Sequence, residues 1–155
     1  MLNPGNKSLF LLVLIISVLF IAAKIDLSSL AKETQDQLIG MYDSGQEAVK
    51  LKKTDLLITP DGFFRYRKTL ISGKQEYFSF NISRFKHLDF LGTEQQGSLI
   101  VTTSSDDIIV QTYNDPKGNI DSMTSIVQLP VKSVQPETLA TLQRNFEQIK
   151  KELGK

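Results

Sequence analysis

Between Lys7 and Lys24 the chain runs for sixteen residues without a charge, SLFLLVLIISVLFIAA, dominated by Leu, Ile, Val and Phe. A helix of that composition is apolar all round, so it has no wet face with which to lie on a soluble protein. Sixteen residues rise about 24 Å, against a bilayer hydrocarbon core of about 30 Å. Continuing through Ile25, with Lys24 snorkelling to the interface, closes the gap. Residues 1–24 therefore read as an uncleaved signal anchor, a transmembrane helix. The competing reading is a cleaved signal peptide, which needs small residues before the cut. Cleavage after Ala23 puts bulky Ile21 at −3, and the better Ser29-Leu30-Ala31 pattern lies beyond Lys24 and Asp26. Lys7 and the α-amine precede the run, and Lys24 and Lys32 follow it against Asp26 and Glu33, so the positive-inside count is nearly balanced. A short, positively charged head stays inside, which sends the C-terminal part to an extracytoplasmic space, periplasmic or lumenal.

Residues 25–52 read as a helical stalk or linker. Leu27, Leu30, Thr34, Leu38 and Met41 recur at helical spacing as a narrow apolar stripe. Two heptads are too few to specify a coiled coil, so the stripe meets a partner helix, a second copy or its own domain. Asp43-Ser44-Gly45 is the expected break, because Gly favours a helix C-terminus.

From Thr54 the apolar period drops from near 3.6 to 2, and residues 53–155 read as a β-rich globular domain. TDLLIT ends at Pro60-Asp61-Gly62, where Pro presets φ and Gly supplies the left-handed position. FFRYRKTL follows, with Phe64, Tyr66, Lys68 and Leu70 on one face and Phe63, Arg65, Arg67 and Thr69 on the other. After the turn at Ser72-Gly73-Lys74 comes EYFSFNIS, with Phe78, Phe80 and Ile82 alternating. FKHLDFL is a fourth strand with Leu88 and Phe90 inward, and SLIVTTS and IIVQTYN form a hairpin. SMTSIVQLPV completes the set as a seventh strand, Met123, Val127, Leu129 and Val131 on one side, with Pro130 marking an edge position or strand end. A helix closes the chain from Pro136 to about Leu153, its stripe made by Leu139, Leu142, Phe146, Ile149 and Leu153. The fold class expected is an N-terminal anchor helix plus a mainly-β (α+β) domain of about seven antiparallel strands and a C-terminal amphipathic helix.

That order of elements over residues 54–153 resembles the pleckstrin-homology-like fold. The resemblance implies two near-orthogonal antiparallel sheets closed at one corner by the helix; the rival arrangement is an α+β sheet with the helix across one face. Members that bind phosphoinositides carry a Lys on the first strand and Arg-x-Arg on the second. Here Lys53 precedes the first strand, and Arg65 and Arg67 lie on the second. The sequence departs from those members at the first loop, which is long in them and minimal here.

Little else points to chemistry. There is no cysteine, which excludes disulfides, thiolate metal sites and cysteine nucleophiles. The net charge of +1 gives no pull toward nucleic acid. The one histidine, His87, stands two residues from Asp89 without a Ser motif to complete a triad, and reads as an edge-strand residue. YNDPKGNID gathers Asn114, Asp115, Asn119 and Asp121 but lacks EF-hand spacing, and any turn recruits those residue types. No phosphate-binding glycine loop is present, and Asn81-Ile82-Ser83 matches a glycosylation acceptor inside a strand. The chain is thus expected to be no enzyme and to hold no cofactor or metal. Lys53, Arg65 and Arg67 are the residues expected to contact a protein partner or anionic headgroups, with Lys50 and Lys52 nearby; the plainer reading is a wet strand face whose stems cover apolar surface. The expected function is a single-pass membrane-anchored protein whose β domain binds a partner in a membrane or envelope assembly. The alternative is a cleaved, secreted or peripheral protein that binds lipid or another small ligand.

Overall fold

A computed structural model of the chain describes residues 26–155. The apolar run at residues 8–23, and with it the anchor reading, lies outside them. Among the described residues no helix is long and apolar enough to cross a membrane.

Helix α1 (Leu27–Met41) begins on Asp26, whose carboxylate accepts from the Ser28 N–H at 3.1 Å. Eight strands follow: β1 (Leu51–Ile58), β2 (Phe63–Leu70), β3 (Gln75–Asn81), β4 (Phe85–Gly92), β5 (Gln96–Thr103), β6 (Ile108–Tyr113), β7 (Asp121–Thr124) and β8 (Ile126–Lys132). Helix α2 (Pro136–Leu153) ends the fold. All strand pairs are antiparallel, and they make two sheets, ordered β1-β2-β3-β6-β7 and β4-β5-β8.

The two expected hairpins at the start share one design. In each, a type I-like turn closes by an N–H···O bond, Gly62 to Thr59 and Gly73 to Leu70, both 2.9 Å, and the glycine takes a positive φ, +82° and +88°. Gly62 has a second reason to be glycine: a Cβ there would run into the Leu153 side chain, so the end of α2 sits directly on this turn.

Alternation then carries Phe64, Tyr66 and Phe80 into the core from one sheet and Leu99, Val101, Val127, Leu129 and Val131 from the other. The α2 stripe joins them through Leu142, Phe146 and Ile149, all fully buried, with the Phe85 and Phe146 rings 4.9 Å apart. Strand β4 manages this by a bulge. The register slips between Phe85 and His87, so Phe85 is buried while Leu88 and Phe90, on the opposite sequence parity, still lean on the core.

Two sequence expectations change here. The expected hairpin of SLIVTTS and IIVQTYN does not form: β5 pairs with β4 and β8 and β6 pairs with β3 and β7, so the two strands lie in different sheets. The stretch SMTSIVQLPV is two strands rather than one: the chain leaves the five-stranded sheet after Thr124, turns at Ser125 and enters the three-stranded sheet as β8. The Ser125 carbonyl accepts from the Thr103 N–H at 2.9 Å, which holds the crossing without glycine or proline. Met123 is therefore 58% exposed, while Val127, Leu129 and Val131 are buried. Pro130 lies on β8, an edge strand, and its carbonyl faces outward to accept from Asp43 at 2.9 Å. The α1 stripe, in the segment read as a stalk, takes one of the covers that its spacing left open. Leu30, Ala31, Thr34, Leu38 and Met41 are buried against the same core as α2, and Asn145 of α2 reaches Glu33 at 3.4 Å. The stripe is covered by the protein's own elements.

The helices also close sheet edges. Gln143 of α2 takes the outward Leu88 N–H of β4 at 3.0 Å, and Lys150 donates to the Phe85 carbonyl at 2.7 Å. Tyr42, Asp43 and Gln46 cover the outer side of β8 at Pro130 and Val131. Unpaired strand edges recruit foreign strands, so such covers matter.

Candidate functional site

Arg65 and Arg67 leave β2 on the side away from the core, because Phe64 and Tyr66 between them point in. Cross-strand register extends this outer face into rows. Leu57, Arg65, Ser79, Ile109 and Met123 align in one; Asp55, Arg67, Tyr77, Gln111 and Asp121 in the next; Lys53, Thr69, Gln75 and Tyr113 in a third. The Arg65 guanidinium lies 5.8 Å from the Phe63 ring centroid and that of Arg67 lies 5.4 Å from Tyr77. Such stacking holds a guanidinium in place while its donors stay free. Among the described residues neither arginine forms an ion pair. Exposed apolar side chains share the Arg65 row: Leu57 next to it, and Ile109 and Met123 two and three strands along.

Lys53 shares this face but is engaged: its Nζ is 2.7 Å from Asp55. The structure thus brings Lys53, Arg65 and Arg67 to one surface, with the two arginines carrying its unpaired positive charge. Tyr66 and Lys68 lie on the opposite side, so Arg65-Tyr66-Arg67-Lys68 is not a continuous patch.

That opposite side holds a polar assembly which the sequence did not announce. The Glu47 carboxylate accepts from the hydroxyls of Tyr66 and of Tyr42, the latter at 2.8 Å, and the two hydroxyls are 3.2 Å apart. Lys68 stands 3.4 Å from Glu47 and 3.0 Å from Glu76, and Lys74 continues the alternation, 3.5 Å from Glu76 and 2.8 Å from Asp115. Burial pushes the Tyr66 and Tyr42 phenols up, and their contact with Glu47 adds to it. Burial also works to raise the Glu76 carboxyl, but Lys68 and Lys74 outweigh it and hold the group below the usual carboxylate range. The Lys74 hydrogen bond does the same for Asp115. Phenols held protonated are hydrogen-bond donors at neutral pH, so the assembly ties the segment after α1 to β2 and β3. A tyrosine and a lysine on the apolar face of β2 are the one signal that a buried acceptor had to exist.

The remaining expectations fall on local structure. His87 and Asp89 pair at 2.9 Å on edge strand β4, both well exposed. In the segment after β6, Asp115 accepts from the Lys117 N–H, and its own N–H donates to Asn119, closing a turn in which Gly118 takes φ +100°. Asn81 accepts from the Ser83 N–H and starts a 3-10 turn.

A depression of about 520 Å³ runs along β1. Ile39 and Tyr42 wall it on one side, Thr54, Asp55, Leu56 and Leu57 form its floor, and Arg65, Arg67 and Tyr77 rim the other side.

No protein-family model, curated protein or solved structure matches this chain.

Proposed function

We propose that this chain is a non-enzymatic, single-pass membrane-anchored protein whose extracytoplasmic β-rich domain binds a protein partner in a membrane or envelope assembly. The observation that carries the partner role is the outer face of the five-stranded sheet. It combines two unpaired, ring-stacked arginines with exposed Leu57, Ile109, Met123 and Tyr113. Arg, Met and aromatic side chains are the residues enriched at protein interfaces. The anchor part rests on the sixteen-residue apolar run. It gains support from α1: cleavage after Ala31 would take Leu30 and Ala31 out of the core. From the pleckstrin-homology-like resemblance the proposal keeps the plan of antiparallel sheets with a terminal helix. It leaves out a headgroup pocket, because the β1–β2 connection closes in Pro60-Asp61-Gly62.

The test is crosslinking of the tagged full chain in native membranes, followed by affinity purification. The wild type retains a defined partner that the Arg65→Glu, Arg67→Glu double variant loses. Migration of the uncrosslinked and crosslinked protein alone as a monomer, or equal recovery by both forms, would refute the reading. Alkaline extraction checks the anchor separately: the chain stays with the membrane pellet.

A further inference from the structure

Strand β1 is an edge strand whose hydrogen-bonding phase is fixed by the turn beside it. The Thr59 N–H donates to the Phe63 carbonyl at 2.9 Å, so Leu57 and Asp55 turn their backbone groups toward β2. Thr54, Leu56 and Ile58 turn theirs out of the sheet. Gln35 of α1 takes the Ile58 N–H at 2.9 Å. Among the described residues, nothing takes the N–H groups of Thr54 and Leu56. The bulge at Lys52 ends the regular edge on the other side. What remains open is a short window, Thr54 to Leu57, and it is the floor of the depression walled by Ile39.

We infer that this window is a docking groove for an extended segment of a partner protein, with alternating apolar and acidic residues, that adds to the sheet as a further strand. The inference rests on the partner-binding reading and specifies what the partner presents. Three observations converge on that occupant. Outward backbone groups on two alternate residues recognise another strand by main-chain hydrogen bonds. An incoming strand points successive side chains to opposite sides. One set meets Ile39, 50% exposed, with Tyr42 and Leu56, and is apolar; the other passes over Leu57 and over Asp55, which Lys53 holds at 2.7 Å, reaches Arg65 and Arg67 one strand further in, and is anionic. The second open edge, β7, has four residues and no facing helix, so it offers no groove.

The experiment uses the full chain in detergent micelles and three labelled synthetic peptides. One alternates Glu and Val, one alternates Lys and Val, and one is the Glu–Val peptide N-methylated at every second residue. The first binds, the Lys–Val peptide binds at least about tenfold more weakly, and N-methylation in the register that faces β1 abolishes binding. The first peptide also slows amide exchange at Thr54 and Leu56. Leu56→Pro removes an N–H that no group among the described residues uses, together with a side chain that packs on the core, so its fold is checked by circular dichroism; where folded it loses the peptide, and where it fails to fold, the exposed pair Arg65→Glu, Arg67→Glu gives the same loss. Failure of the Glu–Val peptide to bind, binding that survives N-methylation in that register, or unchanged exchange at Thr54 and Leu56 overturns the inference. So does a concentration-dependent dimer broken by Leu56→Pro without peptide, which would make a second copy the occupant. If membrane crosslinking depends on Arg65 and Arg67 while Leu56→Pro changes nothing, the groove is wrong and the partner-binding reading stands. If crosslinking is indifferent to the arginines, that reading itself fails.

Discussion

Glu47 accepts from Tyr42 and Tyr66 while facing Lys68, and its side chain is only 7% exposed. Those three partners come from different places in the chain: the end of α1 and two positions along β2. Removing the carboxylate leaves two phenols with one another, 3.2 Å apart, and Tyr42 keeps Thr54, also at 3.2 Å. Lys68 keeps Glu76. The loss is therefore partial, and Glu47→Ala is expected to cost about 2 kcal/mol, the range for hydrogen bonds to a charged group with a buried donor left behind. Glu47→Gln keeps an acceptor for one phenol and should cost about half as much. Urea unfolding followed by circular dichroism reads both. A Glu47→Ala midpoint indistinguishable from wild type would mean that water replaces the carboxylate without penalty. Nothing at residue level in the sequence pairs Glu47 with Tyr66, because they are nineteen positions apart with an entire strand and a turn between them.

Among the elements, α1 is the one whose role depends on distant sequence. Its stripe is legible from spacing alone, and so are the β1–β2 turn, the outward side of Arg65 and Arg67, and the stripe of α2. Its cover is not, since part of it is α2, more than a hundred residues away. Two further features escaped for a local reason. The crossing at Ser125 has neither glycine nor proline, so an apolar alternation that runs through it looks like a single strand. The bulges at Lys52 and Lys86 shift parity without any marker residue. The groove along β1 inherits both difficulties, because it needs α1 placed and the edge phase known. If α1 belongs to the cooperative unit, Leu38→Ala should destabilise the whole domain by about 2–5 kcal/mol, as for other buried large-to-small changes. Ile39→Ala, one position along on the exposed side, should stay within about 0.5 kcal/mol. A single unfolding transition that moves with the first and not the second is the expected record. A Leu38→Ala midpoint unchanged from wild type would return α1 to the status of a detached stalk.

For the molecule as a whole, the charged groups set a window of pH in which the fold is most stable. Net charge is +1, so global repulsion is weak near neutrality and the limits come from individual groups. On the acid side, Glu76 and Asp115 are held below their unfolded values of 4.5 and 3.8 by Lys68 and Lys74. Between the unfolded and folded values the unfolded chain binds more protons, so acid draws the equilibrium toward it. Their contribution is fully present above about pH 5 and is lost as pH falls through the folded values, while the positive charge of eighteen Lys and Arg side chains grows uncompensated. On the alkaline side the sign reverses. Tyr42 and Tyr66 are raised above their unfolded 10.0, so the unfolded chain releases protons first and stability declines once pH exceeds about 10. Lys74, raised by its hydrogen bond to Asp115, acts in the same direction. Unfolding free energy measured across this range should give a plateau with two shoulders. Glu76→Gln should flatten the acid shoulder, and Tyr66→Phe should lower the plateau and flatten the alkaline one. An acid limb unaltered in Glu76→Gln would show that the Lys68–Glu76–Lys74 bridges contribute nothing to folding in solution, leaving the Tyr42–Tyr66–Glu47 cluster and the Lys74–Asp115 pair as the parts of the assembly that stabilise the sheet.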